Sequence, residues 1–443
     1  MKRSAWRYLW TSEDIRKKLL ITLLLLVIYR FAANVPVPGI NREVIRSISE
    51  MGGAGASLFN LLDLLSGGTI SNFSILAMGV YPYITSQIII QLLVPIIPAL
   101  DRRLKENPRE GRSLMEKWTT LLTIPMAFLS AIGQVNIFNS MVTTGSVLRT
   151  PFGFTGESLL PTVTMLVSMV AGTMFGIWLG QLISEFGIPN QGLSLIIFAG
   201  IISRIPTNLL AILADKENGW WVMILILALL ALTIFAIVFV TQGRRNVPVL
   251  FPGRRIGNRM SMPVRSNLPL MVNMAGMIPL IFAQTFLSFP ALIASYFIAG
   301  KSDGFWFSVY RIFGGDGWVY PVLFFVLVVF FTFFYTDVLF AQQNYGETLK
   351  RQGAQIPGVV RGAPTQKYLT KVQRRITLPG AVFLGFVAVL PYILGAILPI
   401  TRASAFVVSA AGLLIVVGVV RDTFSIIETE LKVHGYDESI IKG

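Results

Sequence analysis

The sequence contains no cysteine and a single histidine, His434. Without thiols there is no disulfide framework and no thiolate metal site, and a lone imidazole cannot supply the histidine cluster that zinc or haem requires. Charge is scarce as well: 13% of the 443 residues are charged, against 54% hydrophobic, and mean hydropathy is +0.68. A soluble domain of that composition would be hard to keep in water, so the chain reads as an integral membrane protein. Catalytic motifs are also missing. No Walker A loop, H-E-x-x-H or G-x-S-x-G occurs, and the carboxylates near apolar runs, Asp63, Glu185 and Asp337, form no close-spaced pair. These absences predict a chain that is not an enzyme and takes no cofactor. It moves something, or lets something through.

What the sequence has in abundance is long apolar runs. A bilayer core of about 30 Å needs roughly 20 apolar residues per helix. On that basis ten spans are predicted, near 18–34, 73–94, 118–138, 160–183, 193–213, 220–240, 268–290, 318–340, 376–399 and 404–422. The net charge of +15 then acquires a direction. Nine basic residues fall on one side: Arg30, Arg42, Arg46, Arg149, Arg204, Lys216, Lys301, Arg311 and Arg402, leaving 28 of the 37 on the other. The positive-inside rule therefore places both termini in the cytoplasm. The basic, aromatic start of the chain, with Trp6, Tyr8 and Trp10, suits an amphipathic segment at the inner interface.

Ten spans divide as five and five. An odd number per half makes the second half enter from the opposite side, so a repeat would be inverted. The expected organisation is an interfacial segment 1–17, a first half 18–217, a second half 218–424 and a cytoplasmic tail 425–443. Three spans look interrupted: the second at Pro82, the seventh at Gly276 and Pro279, the ninth at Pro379 and Pro391. Broken backbone at membrane depth is tolerated only against protein or water. Thr85, Ser86, Gln87 and Gln91 in the second span and Asn273 in the seventh add polar groups there, consistent with a surface that meets water or a polar guest. Gly172, Gly176 and Gly180, at every fourth position, read as a close helix-packing stripe. These features fit a secondary transporter as well as a protein channel.

Two inner loops, 241–267 and 341–375, exceed what orientation needs. The first interleaves Arg244, Arg245, Arg254, Arg255, Arg259 and Arg265 with apolar residues, an alternation that predicts a hairpin. The second starts as a helix, turns at Pro357-Gly358 and resumes. Together they predict a basic cytoplasmic platform for an anionic or acidic partner. Between the first two spans lies "LFNLLDLLSGGTISN", whose first eight residues, as a helix, would rise only about 12 Å. It cannot span, and it ends on the helix-stopping pair Gly67-Gly68.

The stretches "VPVPGI", "LFNLLDLLSGGTISNFSILAMGVYPYITSQIIIQLL", "GTMFGIWLGQLISEFGIPNQGLSLIIFAGI", "LPLMVNMAGMIPLIFA" and "AGLLIVVGVVRD" together resemble the SecY family, the channel subunits of the bacterial protein-secretion translocon, from about residue 12 to 430. The resemblance implies an all-α membrane fold of ten helices, in two inverted five-helix halves around an hourglass pore. It makes 58–68 a plug helix, with Leu58, Phe59, Leu61, Leu62 and Leu65 on a hinge at Gly67 and Gly68. Val80, Ile84, Ile197, Ile201, Ile278 and Ile415 become an aliphatic pore ring, and Thr85, Gln87 and Asn273 contacts in a lateral gate. Arg244, Arg245, Arg254, Arg255, Arg259 and Arg361 become docking residues for the SecA motor ATPase or the ribosome, Arg361 standing one place after the family's second-loop arginine position, which Val360 fills. SecE, commonly SecG, signal sequences, nascent chains and membrane lipids are the further implied partners. The implied location is the bacterial plasma membrane.

Overall fold

A computed structural model of the chain describes residues 13–40, 73–94, 97, 100, 103, 108–141, 152–153, 156–213, 219–251, 255–256, 259–260, 264–298, 304–314, 317–397 and 410–433. The segment expected to form the plug, and Arg254, lie outside them. In chain order the elements are α1 Glu13–Ala32, α2 Tyr81–Leu93, α3 Pro108–Met141, α4 Leu159–Phe186, α5 Gly192–Leu213, α6 Gly219–Gln242, β1 Arg244–Phe251, β2 Arg255–Ile256, β3 Arg259–Met260 and β4 Val264–Met271. They continue as α7 Ile278–Ile298, α8 Phe305–Phe313, α9 Val319–Gln343, α10 Tyr345–Arg351, α11 Ala363–Ile397 and α12 Ala410–Val433. Four helices among the described residues are long and apolar enough to cross a membrane: Ser113–Val135, Leu159–Phe186, Val319–Arg351 and Ala363–Ile393.

The chain forms two compact units. The first comprises Met1–Met223, Leu287–Tyr320 and Ile400–Gly443. In it α4 packs against α1, α3 and α5, and α5 also meets α12. The glycine stripe makes these approaches possible. A Cβ at Gly172 would lie 1.9 Å from the Ile75 carbonyl oxygen, and one at Gly180 would lie 2.7 Å from a Leu193 methyl. Val37, Phe73, Met78, Ala127, Met165 and Met169 fill the core beside it. Lys18 of α1 pairs with Glu430 of α12, tying the first helix to the last.

The second unit comprises Ile224–Phe286 and Pro321–Pro399. The predicted hairpin is present: β1 and β4 pair antiparallel from Arg244↔Met271 to Phe251↔Val264. Alternation sets its faces, with Val247 and Val249 buried and Arg244, Arg245 and Arg265 exposed. The second loop also follows the expected course: helix α10, a turn with φ +78° at Gly358, then α11. At 35 residues α11 is roughly 50 Å long, so it outruns a bilayer core and carries a solvent-facing first part.

Two spans begin later than the hydropathy suggested. Residues 73–80 are a series of turns rather than helix, and α2 starts at Tyr81. The seventh was expected from 268, yet β4 continues to Met271 and α7 starts at Ile278. Pro82 and Pro279 therefore open helices instead of interrupting them. A proline in the first turn loses no hydrogen bond, because N–H groups there have no intrahelical acceptor.

Candidate functional site

The turns before α2 and α7 have the same construction. Gly79 has φ +51° and Gly276 φ +64°, values that L side chains adopt rarely. The next residue opens the helix in each: Val80 accepts from the Tyr83 N–H at 3.1 Å, and Met277 from the Leu280 N–H at 3.1 Å. Proline follows three places after each glycine, Pro82 and Pro279. The paired sequences Gly-Val-Tyr-Pro and Gly-Met-Ile-Pro are a short internal repeat, one copy in each unit. Hydropathy windows average this signal away; the spacing of glycine and proline carries it.

In the first unit the stretch before α2 is pinned to the chain that leaves α1. The Val37 N–H donates to the Phe73 carbonyl at 3.1 Å, and the Ile75 N–H to the Val35 carbonyl at 2.9 Å. Phe73 takes φ +39°, held by a fully buried ring. This anchoring fixes Val80, which is buried, and Ile84, which is half-buried and one helical turn further along the same face. Ile197 and Ile201 repeat the four-residue spacing on α5, and Ile415 is buried on α12, the helix that packs against α5. Ile278, in the second unit, is the first residue of α7 and is half-buried. The six aliphatic candidates thus stand at two helix starts and on one packed helix pair.

The polar candidates spend their hydrogen bonds locally. The Thr85 and Ser86 hydroxyls both donate to the Pro82 carbonyl, at 2.9 and 2.8 Å. Asn273 closes the turn before α7: its Oδ1 accepts from the Gly276 N–H at 2.9 Å, and its Nδ2 donates to the Gly276 carbonyl at 3.2 Å. Both residues are buried, so these bonds spare each group the desolvation of an unmade one. Gln87 alone of the three gate candidates is exposed.

The two basic loops are one body. Leu250 and Gln355 exchange backbone hydrogen bonds of 2.8 and 2.9 Å, and the Gln373 amide donates to the Met271 carbonyl at 3.1 Å. Val247, Val249, Leu270, Phe340, Leu349, Ile356 and Leu369 make a core beneath them. Arg244, Arg245 and Arg361 are exposed on this body, and Arg255 and Arg259 lie on β2 and β3. Arg361 sits in the tight turn between Gly358 and Gly362, next to the strongly exposed Val360. Asp337 holds Arg374 through three contacts of 2.8 to 3.1 Å. No spacing in the sequence announces that pair, since 37 residues separate its members.

The chain is similar to known proteins over nearly its whole length. Protein translocase subunit SecY of Streptomyces galbus is 34% identical over 98% of this chain and 99% of its own. The solved "structure of a protein conducting channel" matches all of both chains with a TM-score of 0.64 at 17% identity. Sec61 in the canine ribosome-channel complex from the endoplasmic reticulum does so at 0.61 and 17%. These likenesses agree with the fold class that the motifs implied. Since the SecY family model also matches residues 74–424, the chain belongs to the SecY family.

Proposed function

We propose that the chain is the channel subunit of a bacterial plasma-membrane translocon, passing unfolded preproteins across the membrane and releasing apolar segments sideways into lipid. The observation that carries this reading is the near full-length likeness to a translocase subunit. The repeated Gly-x-x-Pro helix start supports the idea of two inverted halves, 18–217 and 218–424, with Val80, Ile84 and Ile278 brought to the pore at those starts. Aliphatic side chains suit a collar there: they offer a passing chain no hydrogen bond, and a dry constriction opposes ions. Ile197, Ile201 and Ile415 complete the collar in this reading. Leu58 to Leu65 form the plug, hinged at Gly67 and Gly68. Since Thr85 and Asn273 satisfy themselves within their own turns, opening a gate there would break few polar contacts, leaving apolar contacts for a signal segment to replace.

The two-loop body, with both termini on its side of the membrane, is the docking platform for SecA or the ribosome. Its arginines suit RNA phosphate, and a relative of this fold is described in a ribosome-channel complex. SecE, and commonly SecG, complete the assembly. A secondary transporter, the competing reading, is not favoured by the near full-length likeness to translocase subunits.

The test is reconstitution of the chain with SecE in proteoliposomes, adding SecA, ATP and an unfolded preprotein. Protease-protected preprotein is the expected result. Ion-coupled solute uptake without protected preprotein would overturn the reading. Deleting Leu58 to Leu65 should raise resting ion leak, and an unchanged leak would remove the plug assignment alone.

A further inference from the structure

The chain that leaves α1 and the chain that enters α2 meet as a short neck. The Val37 N–H donates to the Phe73 carbonyl and the Ile75 N–H to the Val35 carbonyl, which makes Pro36 and Ser74 an antiparallel bridge. That pair sits between the two hydrogen bonds and exchanges none of its own, so a proline there costs the bridge nothing. The 35 residues from 38 to 72 are closed by it into a loop whose ends are fastened to each other. The segment read as the plug, Leu58 to Leu65, lies within that loop, whereas Val80 and Ile84 lie beyond it.

The neck is held from several directions. The Phe73 ring is fully buried in the core that contains Val37, Ile40, Met165 and Met169. Its φ of +39° is strained for a residue with a side chain, and such strain persists only where the surroundings over-determine it. The Ile75 carbonyl lies so close to α4 that only a glycine, Gly172, fits opposite. Ser74 is fully buried, and its hydroxyl accepts from the Leu76 N–H at 3.2 Å. From there a bonded series of turns leads to α2: the Ala77 N–H donates to the Ser74 carbonyl at 2.8 Å, Gly79 to Leu76 at 2.7 Å and Tyr81 to Met78 at 3.3 Å. The position of the neck is thus handed on to Val80. A load on the loop acts first on the two fastened strands, and it reaches Val80 only if they part.

We propose that this neck, centred on Phe73 and Ser74, is a positioning element of the channel: it stays closed through the transport cycle and holds Val80 and Ile84 in place while the plug moves. This role rests on the plug and collar assignments above and separates the two mechanically. Phe73 and Ser74 are positioning residues, since they act through the turns that follow them.

The chain has no cysteine, so one engineered pair can lock the neck. Facing residues at such a position have Cα atoms about 4.5 Å apart, within the span of a disulfide. Pro36→Cys with Ser74→Cys, reconstituted with SecE, SecA and ATP, should cross-link on oxidation with no loss of protease-protected preprotein. A bond that does not form, or transport lost on oxidation and recovered on reduction, would mean that the neck opens and would overturn the proposal. Phe73→Gly removes both the ring and the strain and should raise resting ion leak. Adding the cysteine pair to it and oxidising should return the leak to that of the unaltered chain, because the covalent neck replaces the ring. A lowered melting midpoint without leak, or a leak that oxidation does not reduce, would mean that Phe73 only packs the core and would overturn the proposal. Val80→Gly tests the collar separately. If it leaks and Phe73→Gly does not, the neck falls and the collar stands; if Val80→Gly does not leak, the collar assignment falls and takes the neck's role with it.

Discussion

Replacing each glycine of the α4 stripe by alanine separates three environments that their common spacing makes look equal. A Cβ at Gly172 meets the Ile75 carbonyl oxygen at 1.9 Å and its carbon at 2.6 Å. Both are backbone atoms of a segment pinned by hydrogen bonds to Val35 and Val37, so neither helix nor segment yields cheaply. Relief needs a displacement of about 1 Å or more. Overpacking against a rigid neighbour costs about 3 kcal/mol, while alanine returns about 1 kcal/mol in helix propensity, for a net loss of about 2 kcal/mol. At Gly180 the nearest atom is a Leu193 methyl at 2.7 Å, the end of a flexible side chain, and the two terms roughly cancel. At Gly176 the nearest atoms, on Leu76 and Tyr29, are at 3.4 and 3.5 Å, an ordinary contact, so alanine there is neutral to about 1 kcal/mol stabilising. The assay is the apparent melting midpoint of the purified chain in micelles, and the expected order is Gly176→Ala highest, then Gly180→Ala, then Gly172→Ala. Gly172→Ala should also raise ion leak, because the displaced segment carries Val80 of the proposed collar. If Gly176→Ala proves as damaging as Gly172→Ala, the stripe acts through something other than these approaches and the reasoning fails.

Asn273→Ala removes both bonds that close the turn before α7 and should destabilise by about 1 to 2 kcal/mol, read as the same midpoint shift. Gly276→Ala should cost a similar amount although nothing lies within 4 Å of the new methyl, because the strain is in the φ of +64°; Gly276→Asn should recover part of it. Arg374→Gln breaks a pair whose arginine side chain is 62% exposed, so the loss should stay below about 1 kcal/mol and fade at high salt. Gln373→Leu releases the Met271 carbonyl and should speed amide hydrogen exchange in β4 while leaving α12 unchanged.

Much of the fold was legible because the membrane imposes simple periodic demands. Hydropathy located α1, α4, α5, α6 and α9 to within a few residues, since in each the apolar run and the helix coincide. The hairpin was legible from the alternation around Val247 and Val249, which period-two side-chain direction turns directly into burial. The second and seventh spans were misread at their starts because an apolar window does not distinguish helix from buried turn. Phe73, Leu76, Met78 and Val80 are as apolar and as buried as any helix residue, and the local choice is made by Gly79 and Pro82. The polar residues of those spans read as a surface that meets water or a polar guest, and by the resemblance as lateral-gate contacts. Thr85 and Asn273 bond to carbonyls and amides three residues away, which residue type alone does not reveal.

By itself the sequence determined the class of molecule: apolar runs of spanning length and motifs that identify the family. These follow from the solvent, which acts on each stretch of chain independently of the others. Only the tertiary structure decided that two loops about a hundred residues apart share one core, that Asp337 holds Arg374, and that four basic residues of α11 line one cavity. Those depend on which surfaces meet across the fold. No local periodicity records that pairing.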